Sequence, residues 1–155
     1  MSTFSFTVPS TPSTAASKAI TRREALYGKD ISYNVRDLKV PNMEVTAAGD
    51  WATIAGRECL RQALIRRLLT EPGEWTTNPG YGVGAAAYVK ARDSKGNRDA
   101  LTARIRSQFT QDPRVDSVAS VEIIRGENSI RFVIRVIPVG EIDSAQPLTI
   151  TTEVF

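Results

Sequence analysis

Histidine is absent from all 155 residues. That absence removes the commonest general base, the usual activator of a nucleophile and the usual zinc ligand together. Cysteine occurs once, at Cys59, so a single chain has neither an internal disulfide nor a cysteine-built metal site. A lone cysteine fits assembly in a reducing compartment, and its expected place is the apolar interior. Long hydrophobic runs are missing as well: none approaches the roughly twenty residues of a membrane span. Residues 1–20 also order charge and apolarity wrongly for a signal peptide. The expectation is a soluble protein made in the cytoplasm, without cofactor or metal.

What is present is ordinary for a globular chain: 41% hydrophobic and 24% charged residues, which excludes a disordered or fibrous protein. The length suits one domain with one core, and is short for two domains around a catalytic cleft. The net charge of +3 comes mostly from arginine, whose fork recognises carboxylates and phosphates alike. Nucleic acid and acidic protein surfaces both remain open as partners on charge alone.

Residues 1–20 (MSTFSFTVPSTPSTAASKAI) are rich in Ser, Thr and Pro, with too little apolar surface to offset the entropy of ordering. They are expected to form a flexible arm ordered only by partners, leaving residues 21–155 as the single domain. Phe4, Phe6 and Val8 alternate, so the arm also has the pattern of a strand added to another protein's sheet. Residues 27–54 suggest extended segments with a hairpin turn at Ala47-Ala48-Gly49-Asp50.

The strongest helix signal is residues 56–70 (GRECLRQALIRRLLT), ended by Pro72-Gly73. Leu60, Leu64 and Leu68 form one stripe, with Ile65 and Leu69 about a third of a turn away. Burying one leucine contributes roughly 1.5 to 3 kcal/mol, so an apolar surface this wide requires cover on both sides, from the fold or from a partner. A second helix is predicted over residues 97–111, with Leu101, Ile105 and Phe109 at four-residue spacing, stopped by Asp112-Pro113. The last third is β-rich: residues 118–125 and 129–138 form two strands across Gly126-Glu127-Asn128, and Ile130, Phe132, Ile134 and Val136 give the second an apolar face. Leu148, Ile150 and Val154 continue the alternation to the end of the sequence, where a final strand presents an unpaired edge. The fold class is α+β: an antiparallel or mixed sheet with two main helices packed on it.

Three constellations bear on chemistry. Gly80-Tyr81-Gly82-Val83-Gly84 has glycines close enough to cradle an anion, but it lacks the Lys-Ser/Thr pair of a P-loop and is better explained as a tight turn against Trp75 or Tyr81. Glu71 and Glu74 are candidates for a glycosidase pair, yet no apolar pocket is indicated around either, so catalytic residues are not assigned. Arg57, Arg61, Arg66 and Arg67 offer a phosphate-binding face, but their spread around the helix and the distance from aromatics favour salt bridges to protein.

The run from Trp51 to Asn78-Pro79-Gly80-Tyr81-Gly82, through the basic helix and Glu71-Pro72-Gly73-Glu74-Trp75, resembles baseplate wedge and sheath-initiator proteins of contractile phage tails. Asp112-Pro113-Arg114-Val115 before an alternating strand is similar to that family's Glu-Pro-Arg motif, with Asp112 in place of Glu and one methylene less reach. The resemblance covers about residues 43–140, and the family extends to type VI secretion baseplates and tailocins. It also carries a lysozyme-like label, for which this sequence shows no cleft signature.

The resemblance implies a structural, non-enzymatic protein located in the tail baseplate of a virion and assembled in the host cytoplasm. Its implied partners are other baseplate wedge proteins and the tail sheath protein, with tube or hub proteins as further candidates for the N-terminal arm, and neither nucleic acid nor membrane. Asp112, Pro113 and Arg114 are the implied contact with the wedge core bundle, expected as an outward-facing, stiff charged corner. Leu148, Thr149, Ile150, Thr151, Thr152, Glu153, Val154 and Phe155 are the implied edge to which a sheath strand adds. The rivals are a peptidoglycan-cleaving tail protein and a small basic nucleic-acid binder.

Overall fold

The computed structural model describes residues 26–33, 43–140 and 147–155. Its elements are β1 (Lys29–Ile31), β2 (Thr53–Ala55), α1 (Arg57–Leu69), α2 (Ala85–Val89), α3 (Lys95–Thr110), β3 (Val115–Arg125), β4 (Ile130–Pro138) and β5 (Leu148–Val154). The fold is α+β, as expected. Strands β3, β4 and β5 form an antiparallel sheet in that order, and β1 pairs with β2 in a separate two-stranded sheet. The expected flexible arm and its Phe4–Phe6–Val8 alternation lie outside the described residues.

Strand alternation builds the core. Along β4, Ile130, Phe132, Ile134, Val136 and Pro138 are buried in turn, and along β5 so are Leu148, Ile150, Thr152 and Val154. Period-two side chains place all of them on one face. The register sets Ile134 opposite Ile150 and Phe132 opposite Thr152. The β3–β4 turn closes with Gly126 N–H donating to the Ser129 carbonyl at 2.8 Å.

Helices α1 and α3 cover that face, α3 lying over β3 and α1 over β5. Leu60, Leu64, Leu68, Leu101, Ile105 and Phe109 are all essentially inaccessible. Both sides of α1 find their cover within the chain, because β2 and α3 also pack on it. On the small-sheet side, buried Gln62 accepts from Tyr33 N–H at 2.9 Å and donates to the Ile31 carbonyl at 2.9 Å. Arg66 donates to Asp30 at 2.7 Å across the same seam.

One boundary differs from the sequence expectation. Helix α3 begins at Lys95 rather than Asn97, since Ser94 caps it by accepting from Asn97 N–H. Residues 43–54 do turn at positions 47–50, with Val45 bridged to Trp51. Thr46 N–H donates to the Asp50 carbonyl at 2.7 Å and Ala52 N–H to the Glu44 carbonyl at 2.9 Å, which closes the expected hairpin, and its arms pair further with β1 and with Tyr33.

Candidate functional site

Strand β5 is an edge. It pairs with β4 on one side, and among the described residues no strand pairs with its other side. A groove of about 790 Å³ runs along that side. Thr149, Thr151, Thr152 and Glu153 all line it, and they come from both faces of β5, so the groove follows the edge itself. The opposite wall is Glu58, Arg61, Gln62 and Ile65 of α1, with Ser32, Tyr33, Glu44 and Ile54 from the small-sheet region. An added strand occupies roughly 4.8 by 3.3 by 10 Å per residue, so this volume holds about five residues of extended chain. The edge was legible in the sequence; the α1 wall was not, because it is made by packing. The one sequence signal for it is Thr152, a polar residue inside an otherwise apolar alternation.

The corner at Asp112-Pro113-Arg114 forms where α3 ends and β3 begins. Asp112 N–H donates to the Phe109 carbonyl at 3.1 Å, and Val115 N–H donates to the Asp112 carbonyl at 2.9 Å, which turns the chain. The expectation that Asp112 points outward is corrected: Asp112 is 5% exposed, while Pro113 is exposed and Arg114 half-buried. Arg114 grips the carboxylate with Nε on Oδ1 and Nη2 on Oδ2, each at 2.8 Å. Its Nη1 donates to the Tyr27 carbonyl at 3.0 Å, and Tyr27 Oη donates to the Val139 carbonyl at 2.9 Å. A buried carboxylate is tolerated only when paired and hydrogen-bonded, and this fork supplies both. Burial alone raises the Asp112 pKa, but the Arg114 side-chain and backbone hydrogen bonds, with the charges of Arg114 and Arg67, outweigh it and hold the pKa below the ordinary value. The hydrogen bonds from Arg114 to Asp112 in turn push the guanidinium up.

The arginines of α1 are engaged with the chain itself. Arg61 pairs with Glu58 at 3.1 Å and Arg66 with Asp30 at 2.7 Å. Arg67 donates to the Gln108 carbonyl at 2.9 Å and sits 4.5 Å over the Tyr81 ring. These pairings take up the cations that a phosphate-binding face would present.

The glycine-rich turn spends its donors internally. Gly82 N–H donates to Gln108 Oε1 at 3.0 Å, Gly84 N–H to the Thr70 carbonyl at 2.9 Å, and Val83 N–H to the Arg67 carbonyl at 2.9 Å. Tyr81 packs edge-on against Trp75 with ring centroids 5.0 Å apart, the tight turn the sequence suggested.

Glu71 and Glu74 are both exposed, and Glu74 accepts from the Glu71 backbone N–H at 2.9 Å. Cys59 is buried, and burial raises its pKa against the lowering effect of Arg114. Among the described residues no group of His, Cys, Asp and Glu is arranged to hold a metal ion, and no helix is long and apolar enough to cross a membrane.

Comparison with known proteins places this architecture. No curated protein matches the chain. Among solved structures, a chain in the cryo-EM structure of the anti-feeding prophage (AFP) baseplate, 6-fold symmetrised, is similar with a TM-score of 0.56 at 21% identity. The similarity covers 79% of this chain and 94% of that one, and at such identity it is a likeness of fold. The model of the contractile injection system sheath initiator family matches residues 36–137, about two thirds of the sequence. On that match, the chain belongs to the contractile injection system sheath initiator family.

Proposed function

We propose that this protein is a non-enzymatic baseplate subunit that seeds sheath assembly by receiving an extended segment of a sheath protein along β5. The observation that carries the reading is the edge of β5 bordered by a groove with room for a further strand. Backbone hydrogen bonds to an edge give affinity without demanding a particular sequence, and the alternation of β5 fixes the register. A seed needs both properties, since each later sheath subunit must repeat the first contact. The family match and the likeness of fold to a baseplate chain support the location.

The corner is the anchor in this reading. Pro113 and Arg114 face the wedge core bundle, and Asp112 acts from inside by fixing the guanidinium of Arg114 in one orientation. A rigid, half-buried arginine loses little side-chain entropy on docking, so it suits a permanent joint. Partners are then other baseplate subunits at the corner and sheath at β5.

Hydrogen exchange on the full-length chain, alone and mixed with the sheath protein of the same particle, tests the edge. Amides of Leu148–Val154 that face away from β4 should slow by at least about tenfold in the mixture, as expected for N–H groups that gain a partner. Unchanged exchange along β5 in a mixture that forms a stable complex overturns the proposal.

A further inference from the structure

The phase of the sheet decides which backbone groups of β5 meet the groove. Gly126 N–H bonds to the Ser129 carbonyl and Val139 N–H to the Arg114 carbonyl, so the odd-numbered positions of β4 turn their backbone groups to β3. Ile130, Phe132, Ile134 and Val136 are then the residues that bond to β5, through Val154, Thr152, Ile150 and Leu148. The alternate residues Thr149, Thr151 and Glu153 turn their backbone groups away from β4, and all three line the groove.

The wall across the groove is acidic, although the whole chain carries a net charge of +3. On the β5 side Arg131 and Glu153 pair at 3.3 Å. On the far wall Glu44 and Glu58 face Arg61 alone. Arg61 pairs with Glu58 at 3.1 Å, and its side chain is 30% exposed against 54% for the glutamate, so the carboxylate is the outer member of the pair. Among the described residues no cation pairs with Glu44.

Glu44 is also held in place. The buried Ser32 donates its hydroxyl to Glu44 Oε2 at 2.7 Å. Glu44 N–H donates to the Ser32 carbonyl at 3.3 Å, and the Glu44 carbonyl accepts from Ala52 N–H at 2.9 Å. A carboxylate fixed in this way loses little freedom when a cation reaches its other oxygen. Set across from a strand edge, it complements an extended segment that carries positive charge.

We propose that the segment received at β5 is basic: it pairs its backbone with Thr149 and Thr151 and presents a lysine or arginine to Glu44, the specificity-determining residue of the groove. This rests on the strand-addition reading and deepens it. Backbone pairing accepts many sequences, whereas the acidic wall selects by sign. A segment with a carboxylate in that place meets Glu44 and Glu58 and is rejected.

The test uses three capped peptides of alternating threonine and valine in which two threonines are replaced by lysine, by glutamine or by glutamate. Each is titrated into the isotope-labelled full-length chain, and affinity is read from the amide shifts of β5. At low salt the lysine peptide is expected to bind about fivefold tighter than the glutamine peptide, with the glutamate peptide weakest. In roughly 0.5 M salt the preference should fall below about twofold, because charges outside the interior are screened. Glu44→Gln keeps an acceptor for the Ser32 hydroxyl and should bring the low-salt preference below about twofold as well. Equal affinity of the lysine and glutamine peptides with β5 amides shifted, or a lysine preference that survives Glu44→Gln, overturns the assignment of Glu44 and leaves strand addition standing. No shift along β5 with any peptide overturns strand addition itself, and this inference with it.

Discussion

At the scale of single residues, the corner rests on one buried carboxylate. Asp112 is held below its ordinary pKa by Arg114. The sign follows from linkage: a lowered folded pKa contributes stability above the unfolded carboxylate value of about 3.9, and that contribution is lost as pH falls through the folded pKa. Asp112→Asn should therefore cost about 2 to 3 kcal/mol at pH 7, because Arg114 loses its counter-ion. The difference from the native chain should shrink below about pH 4; denaturant titrations at several pH values read it, and a cost constant down to pH 3 would contradict the pairing. Gly82 makes a separate demand. Its φ is +106°, and an added Cβ would stand 2.3 Å from the Thr70 carbonyl oxygen. Gly82→Ala is expected to lower unfolding free energy by roughly 2 kcal/mol or more, since a left-handed conformation and a backbone clash act together. Gly82 was legible as part of a tight turn, whereas the burial of Asp112 was not. A charged residue before proline has the pattern of an exposed helix stop, and the groups that make its burial tolerable include the Tyr27 carbonyl, brought in by Arg114 from 87 residues away. That is tertiary information with no local signature.

At the scale of elements, periodicity carried what could be known early. The leucine stripe of α1, the four-residue spacing of α3 and the strict alternation of β4 and β5 each define one buried face, and the structure buries those faces. Strands β1 and β2 fall in the stretch read as extended, but their pairing escaped because each is three residues long and they pair across more than twenty positions. Helix α2 (AAAYV) is too short to show a period, and Arg125 secures it from β3 by donating to the Val89 and Ala91 carbonyls at 2.6 and 2.7 Å. The edge of β5 was visible as a final alternating strand, whereas the wall that turns it into a groove needed α1 placed beside it. Within β5, Thr152 is an element-level compromise: a hydroxyl in the hydrophobic row with no partner among the described residues. Thr152→Val should raise the stability of the isolated chain by about 1 kcal/mol by removing that unsatisfied group. Thermal unfolding checks this, and a destabilised variant would mean that the hydroxyl is satisfied in a way the described residues do not show.

At the scale of the whole molecule, the fold separates two tasks. The corner between α3 and β3 is locked by a bidentate ion pair and by Tyr27 bonded on both of its polar ends, while β5 lies at the opposite edge of the three-stranded sheet from β3. Rigidity at one edge, and at the other a margin with no paired strand among the described residues, suit a part that is fixed on one side and extended on the other. Belonging to the sheath initiator family gives that arrangement its context. The most direct measurement is a near-atomic reconstruction of the assembled particle, resolved around this chain. The account predicts a strand from a sheath subunit hydrogen-bonded along Leu148–Val154 on the side away from β4, with Pro113 and Arg114 against a neighbouring baseplate subunit. A first sheath ring attached elsewhere, with that side of β5 bare or occupied by this chain's own residues, would contradict it.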